Sequence, residues 1–259
     1  MSGRVSYLGG IVKDGLVLDL DAGKLDSYNR LGTTWNDVSG NGNNGTLTNF
    51  DSNKWSSDSG GALIFDGTDS YVNLSDVPFR ITNYNFTLEC TFYFDGTNQV
   101  RSLLSKRNPN SPFNSFGVFL GNGNVYSPSV GNKLSVFIRD DNNPNNNSSN
   151  DRAIVYTLSS AGIYHAIVTH DSTSVKLWVN GVASSEAASG SFGGGSVPTA
   201  TSNLFSGNLT IAGWNFRIGN NNASSYWAEK VYMCRFYNRV LSSSEVLQNY
   251  NSVKSRFNI

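Results

Sequence analysis

The sequence predicts an all-β fold, a sandwich or jelly roll of antiparallel strands closed by one C-terminal helix. Three observations lead there. Apolar residues alternate strictly through Phe86-Thr-Leu88-Glu-Cys90-Thr-Phe92-Tyr-Phe94, the period-2 signature of a strand with one face in a core. Val175-Lys-Leu177-Trp-Val179 runs into Asn180-Gly181, a pair suited to the two positive φ angles of a type I′ hairpin turn. The 259 residues include 26 glycines and 12% aromatics but only 15% charged residues, against a usual quarter or so. That is the profile of many strands joined by many turns.

In chain order, strands are expected at about 15–20, 61–66, 70–74, 86–94, 101–105, 116–120, 133–139, 152–157, 163–169, 174–179, 209–212 and 231–237. Such short strands in steady succession suit a sandwich better than alternating β and α units. One helix is expected over 243–256: Ser242 and Glu245 form a capping box, and Leu241 and Val246 are placed for a hydrophobic staple. Val246, Leu247, Tyr250 and Val253 make one apolar stripe, which should dock on the sandwich. The loops 107–115, 140–151 and 184–208 read as rim insertions, because strands of the same kind continue on both sides. The expected organisation is an N-terminal arm, 1–14, and a single domain, 15–259, that includes the helix.

Nineteen Lys+Arg balance nineteen Asp+Glu, so no basic footprint for nucleic acid or an anionic membrane is present. Neutrality favours self-association, and a homo-oligomer is expected. The N-terminus lacks the apolar core of an export signal, and no run of about twenty apolar residues occurs. Cys90 and Cys234 match no metal spacing; they read as buried thiols or as one disulfide.

Gly40-Asn-Gly42-Asn-Asn-Gly45 satisfies G-x-G-x-x-G, yet a dinucleotide site needs a buried strand before the glycines and a helix after them. Here a polar turn precedes and the strand-like Thr-Leu-Thr follows, so the segment reads as an Asn/Gly loop. The four glutamates, Glu89, Glu186, Glu229 and Glu245, lie in separate segments, with no second acid two or four residues on to complete a glycosidase pair. His165 and His170, five apart, point to opposite faces of one strand, and no nucleophile elbow accompanies them. The chain is therefore expected not to be an enzyme. Calcium takes carboxylate, amide and carbonyl oxygens; Asp19, Asp21, Asp37 and Asn41 are the candidates, and turn capping explains the same residues without a metal. Glycan binding needs an exposed aromatic face. Trp178, opposite in direction to Val175, Leu177 and Val179, leads the candidates, with Trp214, Tyr226 and Trp227 beside several amides.

Taken in order, Gly15-Leu-Val-Leu-Asp-Leu-Asp-Ala-Gly23, the Trp35 to Leu47 loop, Ala62 to Val72, Phe86-Thr-Leu-Glu89, Val175 to Gly181 and Phe236 to Glu245 resemble the LamG-like jelly-roll family of concanavalin A-like lectins and glucanases. That resemblance implies a two-sheet antiparallel β-sandwich over about 15–257. Calcium-binding members commonly carry an acid in the last strand; the matching run here, Val231 to Tyr237, has none, and the glucanases' paired acids are also missing. The opening loop and C-terminal helix are similar in spelling to LamG-like virion proteins of tailed bacteriophages. This implies a surface protein of the particle, a capsid decoration or a fibre or spike component, made in the host cytoplasm without a signal peptide. Its partners would be other capsid or tail proteins. The alternative is a lectin module for host-surface glycans.

Overall fold

A computed structural model describes residues 10–79, 85–97, 99–107, 115–120, 132–139, 152–171, 174–187, 191–192, 195–196, 216–219 and 226–259. The first strands are β1 (Leu16–Asp21), β2 (Thr34–Trp35), β3 (Gly45–Thr48), β4 (Trp55–Ser56), β5 (Ala62–Asp66) and β6 (Tyr71–Leu74). The long central strands follow: β7 (Phe86–Phe94), β8 (Arg101–Arg107), β9 (Ser115–Leu120), β10 (Lys133–Arg139), β11 (Arg152–Thr157), β12 (Gly162–His170) and β13 (Val175–Val179). Short strands β14 (Val182–Ala183), β15 (Glu186–Ala187), β16 (Ser191–Phe192), β17 (Gly195–Ser196) and β18 (Phe216–Ile218) lead to β19 (Ala228–Tyr237) and the helix α1 (Ser243–Phe257). The strand expected at 209–212 lies outside the described residues.

Two large antiparallel sheets result, besides a two-stranded ribbon of β16 and β17. One runs β14-β13-β12-β7-β19-β5-β4 with β1 beside β19; the other runs β15-β11-β10-β9-β8-β18-β6-β3-β2. The alternation in β7 is what joins them: Phe86, Leu88, Cys90, Phe92 and Phe94 all enter the shared core, where Phe86 meets Phe116 of the opposite sheet at 5.4 Å between ring centroids. Cys90 and Cys234 are cross-strand partners, and both are buried free thiols. Burial and the neighbouring Cys234 sulfur push the Cys90 thiol well above its ordinary value.

The hairpin forms as its residues require, with Asn180 at φ 49° and Gly181 at φ 77°. A Cβ at Gly181 would sit 2.5 Å from the Tyr250 ring, so this turn also seats the helix. At the helix start, the Ser242 side chain accepts from Glu245 N and the Glu245 carboxylate accepts from Ser242 N, completing the capping box. Arg239 adds a fork onto Glu245, with Nη2 to Oε1 at 2.6 Å and Nη1 to Oε2 at 3.0 Å.

The helix covers the outer face of the first sheet, and residues assigned by sequence to a separate arm lie against it. Val12 is buried and donates its N–H to Asn249 Oδ1 at 2.8 Å, while Gly10 O accepts from Gln248. Residues 10–12 therefore belong to the helix's packing layer.

Candidate functional site

The four aromatic candidates separate sharply. Trp178 does point away from Val175, Leu177 and Val179, as alternation demands, but that face is the one the helix covers. It packs among Val12, Leu16, Ile167, Tyr237, Leu241 and Val246 and is 8% exposed, too enclosed to stack on a sugar. Its assignment as the leading stacking surface is thus corrected: the period gave the side of the sheet, and the layer above it came from segments distant in sequence. Trp227 is likewise corrected, being fully buried and edge-on to Phe92 at 5.4 Å. Trp214 lies outside the described residues. Tyr226 keeps part of its surface open.

Tyr226 sits on a rim assembled by backbone bonds around its neighbour: Trp227 N donates to Gly219 O at 2.8 Å, and Gly67 N donates to Trp227 O at 3.0 Å. Polar groups gather there. Arg101 Nη1 reaches Ala228 O at 3.2 Å and Asp95 Oδ2 at 2.8 Å, and Nη2 reaches Gln99 Oε1 at 3.2 Å. Asp66 Oδ1 collects the N–H groups of Thr68, Asp69 and Ser70. Partial burial opposes ionisation of Asp66, but those donors prevail and hold its pKa down to about 2.

Of the calcium candidates, Asp37 and Asn41 of the Asn/Gly loop bond to the backbone of β1, whereas the carboxylates of Asp19 and Asp21 turn to arginines. Asp37 Oδ1 accepts from the N–H groups of Asp19 and Ser39, each at 2.9 Å, and Oδ2 from Asn43 N at 2.9 Å. Asn41 Nδ2 donates to Leu16 O at 2.9 Å. Gly40 and Gly42 supply φ values of 97° and 73°, so the glycines of the dinucleotide-like motif serve this turn. Asp21 takes Arg256 Nη1 on both oxygens, at 2.7 and 2.9 Å, and Asp19 takes Arg235. Among the described residues, no group of three or more His, Cys, Asp or Glu side chains is disposed to hold a metal.

Reading along single strands missed a buried polar cluster. Arg235 of β19 donates from Nε to Asp19 Oδ1 at 2.7 Å and from Nη1 to Glu89 Oε1 at 2.5 Å. His165 Nε2 lies 3.0 Å from the same Glu89 oxygen. Asn249 Nδ2 donates to Glu89 Oε2 at 2.7 Å and to the Tyr237 hydroxyl at 2.9 Å. Asp19, Glu89 and Asn249 are fully buried. Burial alone would push Glu89 up; the Arg235 charge, followed by His165 and Asn249, overcomes it and holds the carboxyl down to about 2. His170, five residues from His165, faces the core instead and stacks on Phe86 at 5.2 Å, as strand alternation requires.

Beside this cluster opens a cleft of about 590 Å³ between residues 10–13, the end of β1 and the second half of α1, with Arg235 in its lining. Lys24 lies at its edge, 3.7 Å from Asp19 Oδ2 and 3.9 Å from Asp21 Oδ2.

Comparison with solved structures finds the same fold in other proteins. Domain 4 of the extracellular GH43 arabinanase AbnA from Geobacillus stearothermophilus, in complex with arabinotriose, matches at TM-score 0.56 and 15% identity, over 91% of this chain and 98% of that one. The binding domain of botulinum neurotoxin serotype G matches at TM-score 0.64 and 13% identity, over 93% of this chain and 51% of that one. A Trypanosoma rangeli sialidase matches at TM-score 0.57 and 17% identity, over 93% and 33% respectively. This chain thus spans about half of the neurotoxin domain and a third of the sialidase. No curated protein matches.

These likenesses correct the expectation that the chain is not an enzyme. The fold occurs within a glycoside hydrolase and a sialidase, and the lack of two acids on one strand is no exclusion. Asp19 and Glu89, on different strands, reach the same guanidinium, so spacing along the chain was the wrong measure of which acids meet. The family model for the concanavalin A-like lectin/glucanase superfamily, Laminin_G_3, matches residues 66–247, well over half of the chain; the protein belongs to that superfamily.

Proposed function

We propose that this domain recognises saccharides through the rim around Tyr226. The observation that carries the reading is that Tyr226, among the described members of the predicted aromatic set, is only partly buried while Trp178 and Trp227 are enclosed. An aromatic face takes the apolar side of a sugar ring, and the Gln99, Asp95 and Asp66 side chains nearby offer hydrogen bonds to hydroxyls. Likeness to a domain crystallised with arabinotriose, and to a neurotoxin binding domain, supports it at the level of fold. In a titration against the tightest ligand from a glycan screen, Tyr226→Ala is expected to weaken binding about five- to tenfold. Its thermal midpoint should stay near that of the parent. Unchanged affinity would remove the rim from the account.

We place that recognition on the surface of a tailed-phage particle, in several copies, held by other capsid or tail proteins. The spelling of the opening loop and of the C-terminal helix supports this setting. Antibodies against the domain should label intact particles by electron microscopy; absence of the chain from purified particles would count against it.

A further inference from the structure

The cleft beside the buried cluster has a charge pattern that its internal bonds do not exhaust. Four cationic residues line it, Lys13, Lys24, Arg235 and Arg256, with Asp21 as the only acid among the described lining residues. Arg256 is committed: besides its bonds to Asp21, it donates to Ser59 O at 2.8 Å and to Gly61 O at 3.1 Å. Arg235 is 2% exposed, and its Nε and Nη1 go to Asp19 and Glu89, which leaves Nη2 outside both bonds and the guanidinium in the cleft wall. Lys24 stands beyond hydrogen-bond reach of both aspartates, with side-chain exposure of 45%. Asp19 Oδ2 is buried with no hydrogen bond of its own; Arg235 holds the carboxylate through Oδ1, and Lys24 acts on Oδ2 by its field from 3.7 Å.

The remaining lining matters for size and shape. Gly10, Gly23 and Gly60 present backbone without side chains, Ile11 and Val253 give two apolar contacts, and Ser252 adds a hydroxyl. A volume of about 590 Å³ falls in the range of small-molecule sites and would hold one or two sugar rings, far more than a bare inorganic anion.

We propose that this cleft is a second saccharide site, selective for a sugar acid whose carboxylate is held by Arg235 and Lys24 while its ring lies against Ile11 and Val253. A fixed, desolvated guanidinium with a movable ammonium beside it suits a carboxylate, and the apolar pair suits the ring's C–H face. The residues used are distinct from those of the Tyr226 rim.

Calorimetric titration of the intact chain with glucuronate and with N-acetylneuraminate, against galactose and acetate, tests this. At least one sugar acid is expected to bind ten times or more tightly than galactose and than acetate, with affinity falling as salt rises. The Lys13→Ala/Lys24→Ala pair should weaken it tenfold or more. Ser252→Trp, which fills the cleft from the exposed side of the helix, should abolish it without lowering the thermal midpoint by more than a few degrees. Tyr226→Ala should leave this binding unchanged, which separates failure of the cleft from failure of the rim. Binding of both sugar acids no tighter than that of galactose, binding of acetate as tight as that of the sugar acids, no binding of either acid, or indifference to Ser252→Trp would each overturn the proposal.

Discussion

Replacement of Arg235 by methionine is expected to destabilise the fold by about 3–5 kcal/mol, because it strips one cation from between two fully buried carboxylates. The loss is read from urea unfolding at neutral pH, and its size reflects what is left behind more than what is removed. With the guanidinium gone, Glu89 retains only His165 and Asn249 as partners, and Asp19 loses its only hydrogen-bonded cation. Stability of the parent should also fall in acid. The Glu89 carboxyl is held at about 2 in the fold, below the roughly 4.3 of an unfolded glutamate. Its contribution is therefore complete above the unfolded value and is lost as pH drops through about 4.5 toward 2. Asp66 and Glu245, also held at about 2, lose theirs in the same interval. In the Arg235→Met protein the burial of Glu89 is unopposed by the guanidinium, so its part of the acid limb should shrink. An Arg235→Met protein as stable as the parent at neutral pH would show that the cluster is not what fastens these strands and the helix together.

Trp178→Ala is expected to destabilise the domain by about 3–5 kcal/mol. The indole fills the layer between the first sheet and α1, touching side chains from the segment before β1, from β12, from β19 and from the helix. Truncation opens a cavity that the helix, pinned at one end by its capping box and mid-way by Asn249, cannot close. Chemical denaturation should show the loss, whereas saccharide affinity measured well below the unfolding transition should be retained. If the variant keeps parental stability and instead loses its ligand, the indole is a contact surface and the assignment of this face to the helix is wrong.

What could be read in the chain follows the range of the interactions. The β7 alternation, the Asn180-Gly181 turn and the Ser242 to Glu245 cap are settled within ten residues, and each appears where local sequence puts it. The two histidines fall on opposite faces for the same reason. Trp178 shows where this stops, since period 2 assigns a side of the sheet but not its cover, and the cover comes from Val12 and Leu241, far away in sequence. The polar cluster lies further out of reach. Glu89 and Arg235 are 146 positions apart and Asp19 and Arg235 are 216 apart, joined only because β1 and β7 both pair with β19. One signal was available: Glu89 and Arg235 each occupy a polar slot within an otherwise apolar strand, and charges in central strands need partners.

The most direct test of saccharide recognition is binding of the purified, fluorescently labelled protein to a glycan array, in calcium and in chelator, beside the Tyr226→Ala variant. The expected result is saturable binding that free sugar competes away, that chelator leaves intact and that the variant reduces. An array without saturable binding in either condition, or one on which parent and variant bind alike, would contradict the account.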